Sequence, residues 1–387
     1  MSLRTRTRAV LGAVLLLIGT ATQGAPMHDL LIGTYTQDGS EGLYRYRFDA
    51  GSGRIDPQPV QVVEAHNPSW LVLDATRNRL FAVNENGPGN ADPVGRASSF
   101  SIDPDSQALT PIDRQSTLSD HPTHASLSHD GRYLFVANYA VAEDPGGSLA
   151  VIPVNPDGTL EPVTQIATHQ ASGVHPERQQ SSHVHSVVPS PDGRFVFVSD
   201  LGADKVFVYR YDPANTERPL TPAEPAAVKL PPGSGPRHLA FSEDGKQAWL
   251  TLELTAQLAR FDHADGVLTQ RQLVDLIGEN DGGKHSAAAV HPSHDGRFLY
   301  VSDRGEVNRL LVFAIEPGDA LREIQRRPTD GQEPREFTLS PDGRHVLVAN
   351  QLSDTVVVIE RDPGTGLLGE TVQTLPISRP SHVVFMP

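Results

Sequence analysis

The sequence predicts an all-β fold, a seven-bladed β-propeller whose ring closes by pairing the N- and C-terminal strands in one blade. Three observations carry this. One phrase, built on an Asp-Gly turn, recurs at blade-sized intervals. A second β-rich run follows most copies. The two ends of the chain read as halves of one further copy.

The phrase is a turn, an apolar strand and then Asn or Asp. It appears as SHDGRYLFVANY (128–139), SPDGRFVFVSDL (190–201), SEDGKQAWLTLE (242–253), SHDGRFLYVSDR (293–304) and SPDGRHVLVANQ (340–351). DATRNRLFAVNE (74–85) is a degenerate copy with Arg77 at the glycine position. From Arg77 through Gly131, Gly193, Gly245, Gly296 and Gly343 the steps are 47 to 62 residues, the size of one four-stranded sheet. KVFVYRYD (205–212), LLVFAIEP (310–317) and TVVVIERD (355–362) supply further strands. LLIGTYTQDGSEGLYRYRFD (30–49) matches the second half of a repeat and SRPSHVVF (378–385) the first half. Pairing them leaves no open sheet edge.

Composition agrees. Charged residues make up 20% and hydrophobic residues 38%, the balance of a globular chain. The 32 Pro and 33 Gly suit many short strands joined by turns. The net charge of −15 repels a phosphate backbone and argues against nucleic acid as a partner. Arg4, Arg6 and Arg8, an apolar run over 10–18 and small residues after it read as a secretory signal peptide over 1–25. Without those three Arg the charge of −15 becomes −18. The expected mature chain, 26–387, is one propeller domain, periplasmic or secreted, monomeric, and free of the membrane once the leader is cut. With no Cys it must rest on its core alone.

The repeat also locates the mouth. Residues seven and eight before each turn glycine, and seven and eight after, meet at the far end of the hairpin. Before the turn these are Ser69 and Trp70, Thr123 and His124, His185 and Ser186, Arg237 and His238, Ala288 and Ala289, Arg335 and Glu336, with Ser381 and His382 in the closing blade. After it they are Asn84 and Glu85, Asn138 and Tyr139, Asp200 and Leu201, Leu252 and Glu253, Asp303 and Arg304, Asn350 and Gln351. Asn138, Asp200, Asp303 and Asn350 fit ordinary turn capping. That reading does not extend to His185, Arg237, Glu253 or Arg335. Arg237 and Glu253 admit two readings, a structural salt bridge across their hairpin or a catalytic pair. SSHVHS (181–186) puts His183 and His185 on one strand face, a metal-binding pattern. Without Cys or a third ligand motif no metal is expected. His129, His291 and His294 lie near the outer turns and read as solvated surface. The loops at 84–96, 142–147, 169–180 and 278–286 are expected to shape the entrance.

LLIGTYT, HVHSVVPSPDGRFVFVSDLGADKVFVYRYD, GPRHLAFSEDGKQAWLTLEL, SDRG and PREFTLSPDGRHVLVANQ are similar to segments of the seven-bladed propeller lactonases. That family includes propeller-type 6-phosphogluconolactonases and carboxy-cis,cis-muconate lactonising enzymes. The resemblance runs over 29–387 and implies a cofactor-independent hydrolase of small lactones, or an enzyme that closes such a lactone; with no candidate serine beside a base, water is the expected nucleophile, without a metal. It puts the functional positions on His185, Arg237 and Glu253, with Arg304 or Arg335. His183, His124, His238, Arg304, Arg335 and Gln351 are the expected substrate contacts. Glu253 or His185 would be general base or acid, Arg237 would hold the oxyanion, and Arg335 a carboxylate or phosphate. Ala289 stands where the family often has Glu, and Leu252 where it has Asn, departures expected to shift substrate preference. The leader favours an unphosphorylated aldonolactone, with the 6-phosphate as the family default. A muconate-type cycloisomerase and a non-catalytic binding propeller are the rival readings.

Overall fold

The computed structural model describes residues 26–140 and 147–387. The expected leader, and all but Gly147 of the loop over 142–147, lie outside the described residues. Among these residues there are seven antiparallel sheets. Their innermost strands are Pro380–Phe385, Pro68–Asp74, Asp120–Leu127, Val184–Pro189, Pro236–Phe241, His285–Pro292 and Pro334–Leu339. Each touches the next, so the seven form a closed ring about the axis. The C-terminal strand enters the first blade beside Met27–Thr34, in register Leu30 with Phe385 and Ile32 with Val383. The first and last strands therefore close the ring as the sequence predicts.

The Asp-Gly turns share one local design. In the third blade the Ser128 hydroxyl donates to Asp130 at 2.7 Å and accepts from the Tyr133 amide at 3.0 Å. Ser190, Ser293 and Ser340 repeat both bonds. Gly131 has φ +66°, a left-handed conformation that glycine takes without strain. In the degenerate copy Asn78, at φ +51°, is the left-handed residue next to Arg77, so the glycine position falls one residue later than the sequence alignment suggests.

Between adjacent blades the alternating apolar faces interdigitate. Phe195 and Phe197 of the fourth blade pack on Leu250 and Phe261 of the fifth. Tyr300 of the sixth packs on Leu339 and Val348 of the seventh. Each fully buried side chain of this kind is worth about 1.5–3 kcal/mol, which is how a chain without disulfides stays closed.

One irregularity recurs in all seven inner strands. Eight residues before the turn, the ladder skips. Val184 pairs with Asp200 and Ser186 with Ser199, which leaves His185 with no partner. The same β-bulge falls on Ser69, Thr123, Arg335 and Ser381, and spans Arg237 and His238 or Ala288 and Ala289 in the fifth and sixth blades. A bulge inserts one residue and re-aims its side chain. Two successive residues of each strand are thereby assigned to different levels of the axial channel.

Candidate active site

The upper level opens at the mouth as a cavity of about 360 Å³, lined by Glu85, Thr123, Tyr139, Arg178, His185, Glu253, Ser286, Arg304, Glu333 and Arg335. That is within the range of small-molecule sites, roughly 300–1,000 Å³. Thr123, His185 and Arg335 are bulge residues. Glu85, Tyr139, Glu253 and Arg304 come from the ends of the neighbouring second strands.

Glu253 is the hub. It lies 2.6 Å from Arg178, 3.0 Å from Arg237 and 3.1 Å from Arg304. Burial by itself would raise its carboxyl, but Arg304, Arg237 and Arg178 overcome that and hold it down at about 2. Arg304 also meets Glu333 at 2.9 Å, and Arg335 meets Glu85 at 3.2 Å. Arg335 stands over the Tyr35 ring, whose hydroxyl donates to Glu85 at 2.6 Å. Four guanidinium groups thus face three carboxylates, a locally positive site in an acidic protein.

Arg237 is the exception among the four. It is 1% exposed, and burial together with Arg304 pushes it down to about 9 against the pull of Glu253. Its Nη1 has no acceptor. His185 is as unusual. Its Nδ1 is buried without a partner. Burial, and then Arg237, His238 and Arg335, hold its imidazolium well below the ordinary histidine range, so the ring is neutral at pH 7. The arrangement offers a neutral imidazole beside a donor-rich cationic wall.

Several expected contacts lie elsewhere. His124 and His238 sit one level below the mouth, because each follows the bulge residue. Their rings and that of His382 surround Trp70, with centroids 4.2, 5.2 and 4.0 Å from it. His183 precedes its strand, stacks on Tyr139 at 4.5 Å and has Nδ1 2.5 Å from the Tyr139 carbonyl oxygen. It therefore does not share a strand face with His185. Among the described residues no group of three or more His, Cys, Asp or Glu is arranged to hold a metal. Gln351 lies in a short 3-10 turn with its amide on the Glu333 carbonyl, and its side chain does not line the cavity. His291 is not a free surface residue, since its Nε2 is 2.5 Å from Glu336. His294 does lie exposed, although it reaches the Ser340 carbonyl oxygen at 3.0 Å, and His129 is exposed.

The capping reading holds for the Asn and Asp positions. Asn138 donates to the Gly147 carbonyl at 2.9 Å and Asn350 to that of Thr329 at 3.0 Å. Asp200 accepts from the His183 amide at 2.9 Å, and Asp303 from that of Ser286 at 3.1 Å. Leu252 occupies the equivalent place and is buried in the apolar contact between blades. Ala289 belongs to the lower level, also fully buried. Neither departure removes a group from the mouth.

Arg178 and Glu333 come from outside the repeat. The loop over 169–180 is pinned by Gln179, which donates to the Leu201 carbonyl at 2.8 Å and to Asp204 at 2.7 Å. His169 fixes its start, lying 2.9 Å from Asp200 and stacked on Phe207 at 3.6 Å. Arg178 then reaches both Glu253 and the Tyr139 hydroxyl, at 2.6 and 3.0 Å. The loop length marks an entrance, but no spacing rule marks the arginine within it.

Known proteins share this architecture. A solved periplasmic gluconolactonase from Pseudomonas aeruginosa is 53% identical, with a TM-score of 0.90 over 94% of this chain and 99% of that one. A putative 6-phosphogluconolactonase from Bacteroides fragilis, also solved, is 32% identical, with a TM-score of 0.84 over 93% of this chain and 98% of its own. The 6-phosphogluconolactonase of Bacillus subtilis (strain 168) is 29% identical over 358 residues, 92% of this chain and 97% of the relative. The family described as lactonase, 7-bladed beta-propeller, matches residues 29–385. The chain therefore belongs to the lactonase family of seven-bladed β-propellers.

Proposed function

We propose that the protein is a sugar-lactone hydrolase that opens an unphosphorylated aldonolactone outside the cytoplasm, with His185 as its acid–base group. The observation that carries this is the neutral imidazole of His185 in the lining of the mouth cavity, beside the guanidinium of Arg237, whose Nη1 has no acceptor. His185 takes a proton from water as the oxygen attacks the lactone carbonyl. Arg237 donates to the tetrahedral oxyanion. The C–O bond to the ring oxygen then breaks, and His185 returns its proton to that leaving alkoxide. The product is a hydroxy acid, which ionises at neutral pH. Glu253 is a poor base, because three arginines share its two oxygens; its part is to hold Arg178, Arg237 and Arg304 in place.

The substrate reading rests on charge. Four arginines face three carboxylates, and this excess of one positive charge is less than a phosphate dianion would need. The similarity to a periplasmic gluconolactonase and the leader-like N-terminus both support a site outside the cytoplasm. Arg335, expected to grip a substrate anion, is engaged by Glu85 and Tyr35 and instead shapes the wall. The test is acid release from glucono-δ-lactone and from its 6-phosphate, corrected for spontaneous opening. A higher kcat/KM for the unphosphorylated lactone, lost in His185→Ala, supports the proposal. Preference for the 6-phosphate would overturn the substrate, and full activity in His185→Ala would overturn the mechanism.

A further inference from the structure

Beneath the mouth, between the two levels of the channel, lies a second enclosed space. Its volume is about 10 Å³, and Ser69, Trp70, Thr123, His185, Arg237, His238, Arg335, Glu336 and Ser381 line it. That is room for one water and no more. Six buried polar atoms from these residues have no hydrogen-bond partner: Ser69 Oγ, Thr123 Oγ1, His185 Nδ1, Arg237 Nε and Nη1, and Glu336 Oε2. Native interiors satisfy such atoms, directly or through ordered water. Six orphans around one water-sized space are more than the two to four partners that a buried water requires.

Glu336 has no part in the hydrolysis described above. It is 1% exposed at the seventh blade, with Oε1 2.5 Å from His291 of the sixth. Its Oε2 lies 3.4 Å from His238 Nδ1 of the fifth, too far for a strong hydrogen bond. The charge of Glu336 in turn acts on Arg237, His124 and His382. His185 in turn faces Arg237, His238, Arg335, Arg304 and the edge of Tyr139. The rings of His185 and His238 are 5.2 Å apart.

We propose that this space holds one ordered water, which accepts from His185 Nδ1–H and donates to Glu336 Oε2, and that Glu336 is thereby a positioning residue of the hydrolytic site. The inference rests on His185 being the acid–base group. A hydrogen bond at one imidazole nitrogen decides the state of the other. With the proton kept on Nδ1, Nε2 is the free base. When Nε2 takes a proton from the attacking water, the Glu336 carboxylate beyond the enclosed water offsets the new positive charge. No proton leaves the site, because Nε2 returns its own to the ring oxygen. Without the water and Glu336, the neutral ring populates both tautomers and the imidazolium formed during attack loses its offsetting charge.

Two measurements test this. A crystal structure of the mature chain, at a resolution where waters are seen, is expected to hold one water between His185 Nδ1 and Glu336 Oε2; an empty space overturns the proposal. In kinetics, Glu336→Gln keeps the shape and removes the charge. We expect kcat to fall ~10- to 100-fold at nearly unchanged KM, the effect of losing an orienting partner. The acidic limb of the pH profile should move to lower pH, because a neighbouring negative charge has gone. A Glu336 that merely ties three blades together predicts lower thermal stability with kcat and the pH profile unchanged in the folded fraction, and that result overturns the proposal. If Glu336→Gln does not fold, Ser69→Val displaces the water without touching the Glu336 pairs and should lower kcat similarly; parental kcat in that variant counts against the water. Loss of activity in His185→Ala with none in folded Glu336→Gln rejects the positioning role alone. Full activity in both rejects the reading of the mouth and this inference together.

Discussion

Replacing Arg237 by Met separates the two readings of the Arg237–Glu253 pair. Arg237 is almost wholly enclosed, and burial and Arg304 depress it further than Glu253 restores it. The charge is therefore a cost to the folded state. Its removal does not strand Glu253, which keeps Arg178 at 2.6 Å and Arg304 at 3.1 Å. Replacing a buried ion pair by apolar side chains is neutral or stabilising by about 1–4 kcal/mol, and removing one ion is costly where it strands a partner, which it does not do here. The loss of an oxyanion donor, by contrast, lowers kcat by roughly 10²–10³. Arg237→Met is therefore expected to be as heat-stable as the parent, or more so, and nearly inactive. The assay is acid release on glucono-δ-lactone beside thermal unfolding of both proteins at one scan rate. A drop of several degrees in Tm, with activity falling only as the folded fraction falls, would refute the reasoning and make the pair a structural strut.

Three further outcomes follow from the same geometry. His185 stays neutral well below pH 6.5, so kcat/KM should hold level through that value rather than fall there, and His185→Ala should cost roughly 10²–10⁴ in kcat; an acidic limb centred near the ordinary histidine value speaks against this. Glu253→Gln leaves three guanidinium groups without their shared anion and should lower stability by about 3–5 kcal/mol, read by urea unfolding at pH 7. Because its folded carboxyl sits at about 2 against an ordinary 4.5, this stabilisation is complete above pH 4.5 and fades as pH falls toward 2; a mutant that differs from the parent equally at pH 7 and near pH 2 contradicts it. Removing 378–387 takes away the inner strand of the first blade, including His382 stacked on Trp70 at 4.0 Å. The shortened chain should lose cooperative unfolding and become sensitive to protease, and a folded, active product would show that ring closure is dispensable.

The Asp-Gly repeat made the blades legible because each turn carries its own local hydrogen bonds, independent of the rest of the molecule. The ring closure was legible for the same reason: two half-repeats at opposite ends have one way to be completed. His185, Glu253, Arg304 and Arg335 could be placed at the mouth by counting from the turn glycine, and the same count brought Arg237 to the space just beneath it. Counting failed at His124 and His238, because a bulge is a change of register and the residue types around it give no sign of one. Arg178 was hidden for another reason. It is delivered by a loop anchored through Gln179 and His169, whose partners lie 22 to 40 residues away in the chain. Glu336 was visible as a ring position, but its partners come from two other blades, and only the folded chain brings them together.

The seven bulges have a consequence for how such a protein changes over generations. A residue inside the ladder is answerable to its cross-strand neighbour, its pleat and the face it packs on. A bulge residue has no opposite number in the ladder, so its identity is nearly free of those obligations. Here seven such places hold Ser, Thr, His, Arg, Ala, Arg and Ser around one axis, on an otherwise repetitive frame. Selection can rewrite the chemistry of the ring one position at a time while the sheets beneath go on folding as before.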